Sequence, residues 1–167
     1  MTRPDEPRWL TPEQTQAWIG LLRTTVSLPA ALDAQLRRDA GLSHAEYQVL
    51  SWCSMSPGRA ARMGDIAVRA NVSLSHLSRI AARLESRGWL TRVPDPTDGR
   101  ATLATLTEDG WEKVVATAPG HAEEVQRLVF DNLDAEQVRQ LREITERIVD
   151  ATQRERALPP PPGAVAR

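Results

Sequence analysis

The fold is decided by Met63-Gly64-Asp65-Ile66-Ala67-Val68-Arg69, then Ala70-Asn71-Val72, then Ser73-Leu74-Ser75-His76-Leu77-Ser78-Arg79-Ile80-Ala81-Ala82-Arg83-Leu84-Glu85-Ser86-Arg87-Gly88. Met63 to Arg69 and Ser73 to Arg87 each read as a short helix. Only three residues part them, which is the spacing of a helix-turn-helix. On the second helix Leu77, Ile80, Ala81 and Leu84 recur at intervals of three and four and form one apolar stripe. The opposite face holds Ser75, Arg79, Ala82 and Ser86, flanked by Ser78 and Arg83. Gly88 supplies the left-handed residue that ends such a helix.

Downstream, Trp89 to Val93 and Ala101 to Leu106 read as two strands. The segment between them, Pro94-Asp95-Pro96-Thr97-Asp98-Gly99-Arg100, has two prolines, a glycine and nothing large and apolar to bury, so it is expected to project into solvent. Thr107 caps a long helix running toward Leu133, in which Pro119-Gly120 predicts a kink or a break. Asp134 caps the last helix, striped by Val138, Leu141, Ile144 and Ile148. Upstream, Thr11-Pro12 opens a helix that runs to Asp39, with Trp18, Leu21, Leu22, Thr25, Leu28, Leu32 and Leu36 on one side. Pro29 predicts a kink or a split in it, and Gly41 a stop. Ser43-His44-Ala45-Glu46 is a capping box for a further helix whose inner face is Tyr47, Leu50 and Cys53.

The expected fold class is therefore mainly α with a small β-hairpin wing, a winged helix-turn-helix module plus a helical dimerisation frame. The expected division is a flexible N-terminus at 1–10, an N-terminal dimerisation helix at 11–40 and the winged module at 41–106. C-terminal dimerisation helices follow at 107–152, and a flexible proline-rich tail at 153–167. The first helix and the last two carry more apolar surface than the small winged module buries; Trp18, Leu21, Val125, Leu128, Leu141 and Ile148 need a second surface, which points to a homodimer.

A chain of 167 residues, 41% hydrophobic and 26% charged, is one globular domain with a small appendage. No apolar run approaches the roughly 18 residues of a membrane span, and Met1 to Arg8 is polar, so no membrane association and a cytoplasmic location are expected. Cys53 is the only cysteine, which excludes an intrachain disulfide and a multi-cysteine zinc site. It has no basic sequence neighbour to activate it, and a buried structural thiol is expected. His44, His76 and His121 are scattered without metal-ligand spacing. No nucleophile elbow, Walker loop or dinucleotide fingerprint is present, so no catalytic residue, no metal, no cofactor and no enzymatic activity are expected.

The net charge of −1 conceals an asymmetry. Residues 59–100 hold eight arginines against four acids, a local +4, while residues 1–58 sum to −1 and residues 101–167 to −4. A basic middle between acidic ends fits an anion-binding module on an oligomerising frame; it equally fits a cluster of solvated arginines. A polar helix face alone is what most surface helices show, and it is together with the basic hairpin tip that it points to double-stranded DNA as the partner. A helix about 10–12 Å wide enters the major groove, and Ser73 stands at the helix start, where backbone N–H groups favour a phosphate. Arg79 and Arg83 are candidates for bidentate contact with guanine or phosphate. His76 suits that role or a solvated first-turn position. Arg100 ends the exposed tip beside Asp98, as a minor-groove or backbone probe would. The rival reading is a winged-helix homodimer that binds protein instead of DNA.

Three segments in order, Leu84-Glu85-Ser86-Arg87-Gly88-Trp89-Leu90, Asp95-Pro96-Thr97-Asp98-Gly99-Arg100 and Leu106-Thr107-Glu108-Asp109-Gly110, resemble the signature of MarR-family regulators. The likeness extends over roughly residues 15–150. It implies an obligate homodimer, usually a repressor, gripping a pseudo-palindromic operator. By that likeness Ser73, Ser75, His76, Ser78 and Arg79 face the major groove, Arg100 enters the minor groove, and Asp98 orients Arg100. Gly99 stands where the family often has a second arginine. Members commonly bind a small phenolic or aromatic acid between frame and winged module, and Trp18, His44, Tyr47, Trp52 and Trp111 lie on helices that would line that crevice.

Overall fold

Thr11 opens α1 (Pro12–Ala40) in the computed structural model, which describes residues 7–154. Its hydroxyl accepts the Gln14 N–H at 3.2 Å while the Gln14 side chain accepts the Thr11 N–H at 3.0 Å, a full capping box where Thr11-Pro12 alone predicts a start. Gly41 closes the helix with φ 64°. Helix α1 runs unbroken through Pro29, against the expected split. Proline strips the Thr25 carbonyl of its helical donor, but both residues lie on the exposed side, where that carbonyl is open to solvent.

Helix α2 (His44–Ser54) starts at the predicted box, with the Ser43 N–H donating to Glu46 at 2.8 Å and the Glu46 N–H to the Ser43 hydroxyl at 3.2 Å. A 3-10 turn at Pro57–Arg59 leads into β1 (Ala60–Arg62), a strand too short to show alternation and absent from the sequence reading. Then come α3 (Met63–Arg69) and α4 (Leu74–Ser86), joined through Asn71 in the left-handed region at φ 51°. Strands β2 (Leu90–Pro94) and β3 (Thr102–Leu106) form the hairpin. The sheet is antiparallel in the order β1-β3-β2, with Leu90 opposite Leu106 and Ala61 opposite Ala104.

Helix α5 (Glu108–Leu128) is likewise continuous through Pro119-Gly120, which corrects the expected break. Here too the proline and Val115, whose carbonyl loses its donor, are exposed. A 3-10 turn at Phe130–Asn132 precedes α6 (Ala135–Arg154), opened by reciprocal hydrogen bonds between Asp134 and Gln137. Residues 1–6 of the N-terminal segment and residues 155–167 of the proline-rich tail lie outside the described residues, so the flexibility expected of both ends is not addressed there.

The core sits where α2, α3 and α4 meet β3. Leu36, Leu42, Leu50, Cys53, Ile66, Leu77, Ile80, Leu84 and Leu90 are fully buried, and each large aliphatic side chain there contributes roughly 1.5–3 kcal/mol. The two ends of the chain behave differently. Trp18, Ile19, Leu21 and Leu22 on α1 and Leu141, Ile144, Ile148 and Val149 on α6 remain exposed, Trp18 at 50% and Ile144 at 54%. Among the described residues no helix is long and apolar enough to cross a membrane.

Candidate nucleic-acid interface

The apolar stripe of α4 orients everything on its outer side. Burial of Leu77, Ile80, Ala81 and Leu84 turns Ser75, His76, Arg79 and Ala82 to solvent. The Ser73 hydroxyl caps the helix by accepting the His76 N–H at 3.2 Å and lies 3.1 Å from the Ser75 hydroxyl. At the other end the Gly88 N–H reaches the Glu85 carbonyl at 2.9 Å and the Trp89 N–H the Leu84 carbonyl at 3.0 Å. With Gly88 at φ 74°, this is a Schellman closure.

The wing is anchored by a residue that the sequence reading left unassigned. Asp95 is buried, and its carboxylate accepts the Thr97 N–H at 2.8 Å, the Thr97 hydroxyl at 2.7 Å and the Arg62 Nε at 2.6 Å. Hydrogen bonds from Thr97, more than the Arg62 charge, pull its carboxyl down to about 2. So the base of the hairpin tip does not simply project; it is pinned to β1. Beyond that anchor, Asp98 accepts the Arg100 N–H at 3.1 Å and the Arg100 Nε at 3.4 Å, while the Arg100 side chain stays 94% exposed.

Arg92 ties wing to helix. Its guanidinium donates to Glu85 at 2.7 and 3.0 Å and to the Ser78 hydroxyl at 3.1 Å. The hydrogen bond from Arg92 holds the Glu85 carboxyl below its ordinary range. Ser78, Arg92, Arg62 and Arg100 thus border an open hollow of about 380 Å³ between α3, α4 and the wing. Arg92 and Arg62 gave no sequence signal of this role, because their partners are 7 and 33 residues away.

The predicted residues divide. Ser73, Ser75, His76, Ser78, Arg79, Asp98 and Arg100 lie on α4 and the wing as expected. Arg83 points along the flank instead, its Nε 3.1 Å from the buried Glu46. Burial raises the Glu46 carboxyl, but hydrogen bonds from Ser43 and Arg83 outweigh it and the net shift is downward. Arg83 is therefore a clamp between α2 and α4.

The five side chains expected to line a ligand crevice are dispersed. Trp18 is on the exposed stretch of α1, Trp111 lies 4.1 Å beneath the Arg59 guanidinium, and Trp52 lies 5.3 Å beneath that of Arg69. His44 and Tyr47 share an aromatic cluster whose third member is His121 of α5, with ring centroids 4.6 Å from Tyr47 and 6.3 Å from His44, while Trp52 and Trp111 pack against the same core as Tyr47. His121 Nδ1 is 3.4 Å from Gln35 Oε1, and His44 Nδ1 is buried with no hydrogen-bond partner. Burial lowers both histidines, the His44 charge adding to the effect on His121. Cys53 is buried against the Ala104 carbonyl, and burial pushes its thiol up to about 12.

Residues 40–101 match the sequence model of the MarR family. Sco3205 of Streptomyces coelicolor, a MarR family transcriptional regulator solved in complex with DNA, is 42% identical and superimposes with a TM-score of 0.83 over 89% of this chain and 93% of that one. The chain belongs to the MarR family. AbsC of the same organism, also a MarR family transcriptional regulator, is 31% identical with a TM-score of 0.81 over 88% of this chain and 99% of its own. Curated relatives include the regulator YxaD of Bacillus subtilis, 29% identical over 65% of this chain and 74% of that protein. The multiple antibiotic resistance protein MarR of Salmonella typhimurium is 30% identical over 47% of this chain and 55% of that protein. This MarR-family chain is accordingly a DNA-binding transcriptional regulator with a winged helix-turn-helix, from a family of regulators and not of enzymes.

Proposed function

We propose that this regulator is a homodimeric repressor that binds a pseudo-palindromic operator through α4 and the wing and is released by a small aromatic ligand. The observation that carries the DNA reading is the exposure of Arg79 on the outer face of α4 together with the 94% exposure of Arg100 on the wing, where Arg100 borders the same hollow as Ser78 of α4. Ser73, Ser75, His76 and Arg79 then read the major groove, Ser78 and Arg92 brace the wing, and Arg100, steered by Asp98, probes the minor groove or its phosphates. Arg83 contributes at most a phosphate contact from the flank.

The apolar faces of α1 and α6 support the dimer. Leu141, Ile144 and Ile148 of one protomer need a partner surface, and a second copy presenting Trp18, Ile19 and Leu22 supplies one. On this reading residues 11–40 and 107–152 form the frame and 41–106 the DNA-binding unit. Two-fold symmetry would set the two α4 helices about 34 Å apart, one turn of DNA.

Release by ligand draws on two proteins of the same fold. CouR of Rhodococcus jostii RHA1 was crystallised bound to p-coumaroyl-CoA, and PcaV of Streptomyces coelicolor in complex with its natural ligand. In this chain the His44–Tyr47–His121 cluster, between α1, α2 and α5, is where such a ligand would couple frame to module. A coupling of about 1–3 kcal/mol would change DNA affinity roughly 5–150-fold.

Fluorescence anisotropy of a duplex from upstream of the protein's own gene, at two salt concentrations with unrelated competitor, tests this. Competitor-resistant binding by two chains per duplex, with a steep salt slope, is expected. Binding no tighter than to random DNA, after selection from random sequences as well, would favour a protein-binding module.

A further inference from the structure

Leu74 is an apolar side chain in a polar face. It is the first residue of α4 and 57% exposed, while its neighbours Ser73 and Ser75 carry hydroxyls and His76 follows. Nothing in the helix itself requires leucine there. The Ser73 hydroxyl is engaged with the His76 N–H and lies against that of Ser75, and Ser78, one turn on from Leu74, accepts from Arg92. The hydroxyls of the first two turns are therefore already partly engaged within the protein. On the side of α4 that looks toward α3, Leu74 is the large apolar group available to meet an incoming surface, beside the exposed Ser73.

Its surroundings extend the apolar character. Leu74 is the ridge between two open hollows. One, about 550 Å³, is bordered by Ala67, Val68, Val72 and Gly64 with the polar Asn71 and Ser73 at its edge, and Val68 itself is 41% exposed. The other, about 380 Å³, is the arginine-rich hollow under the wing. Gly64 faces both and has open space where a Cβ would stand. The first hollow suits an apolar projection, and the second suits phosphate.

We infer that Leu74, with Val68 beside it, reads the C5-methyl group of a thymine in each operator half-site, so that part of the sequence specificity is hydrophobic. The major-groove edge of DNA carries one apolar feature, that methyl group, and recognition helices place their first residues against base edges. A leucine at N1, flanked by a shallow apolar hollow, complements it in size and chemistry. Transfer of one methyl-sized group out of water is worth about fourfold in affinity. The inference rests on the reading of α4 as the major-groove helix and adds the base feature that it recognises.

The test separates the two. An operator selected from random duplexes is resynthesised with deoxyuridine replacing thymidine at one position at a time, which removes the methyl group and leaves every hydrogen-bonding group in place. The full-length protein is expected to lose about fourfold in affinity at one thymine per half-site. Leu74→Ala is expected to bind the thymine and uracil duplexes equally while keeping the wild-type melting temperature, since the side chain is mostly in solvent. Selective binding that is indifferent to uracil at every position, or a uracil penalty that persists in Leu74→Ala, overturns the inference and leaves the interface standing. Failure to select any duplex over random DNA overturns the interface, and the inference falls with it.

Discussion

The Thr107 hydroxyl donates to the Gly88 carbonyl at 2.6 Å and accepts the Gly110 N–H at 3.0 Å, so one side chain joins the end of α4 to the start of α5. The Thr107 N–H adds a bond to the Trp89 carbonyl at 3.3 Å. Two of the three family segments are thus the two halves of a single junction. Helix α4 cannot shift against α5 without breaking it.

Gly110 shows how tight that junction is. A Cβ there would stand 1.9 Å from the Trp89 carbonyl oxygen, a backbone atom that cannot swing aside. Gly110→Ala should destabilise the protein by about 3 kcal/mol, the upper end of what overpacking costs, read as the shift in urea midpoint.

Asp95 sets an acid limit. Its carboxyl is held at about 2 in the folded chain against an ordinary 3.8, so the unfolded chain takes up the proton first. The stabilisation is complete above about pH 4 and is lost as the pH falls toward 2. Asp95→Asn should melt below wild type at pH 5 and converge on it near pH 2. It should also weaken operator binding at neutral pH by loosening the wing. A melting difference that does not change with pH would disprove the assignment.

His44 and His121 add a milder dependence at higher pH. Both are lowered from 6.5 by burial, so the folded protein resists protonation that the unfolded chain accepts. Stability is full above about pH 6.5 and declines as the pH falls below it. In His121→Gln, the melting temperature between pH 7.5 and 5 should vary less than in wild type.

Two arginines on α4 should separate stability from binding. Arg79 makes no ion pair among the described residues, and Arg79→Ala should weaken operator binding by about 1–3 kcal/mol with little change in melting. Arg83 braces Glu46, and Arg83→Ala should lower stability by about 1 kcal/mol with a smaller effect on DNA. The opposite pattern would exchange their roles.

What the sequence alone determined was local. The 3.6-residue period of Leu77, Ile80, Ala81 and Leu84, the caps at Ser43, Thr107 and Asp134, and the glycines at 41 and 88 are each specified within a turn or two, and every one appears as read. The prolines at 29 and 119 did not split their helices, because an exposed carbonyl left without its donor can turn to water and spare the helix. Long-range partnerships were settled only by the tertiary structure. Strand β1 exists because β3 offers it an edge, Asp95 and Glu46 are buried because Arg62 and Arg83 reach them from distant elements, and the tryptophans scatter because each finds a different neighbour. A helix start depends on atoms a few bonds apart, whereas an ion pair or a strand edge depends on where the whole chain has brought two segments together.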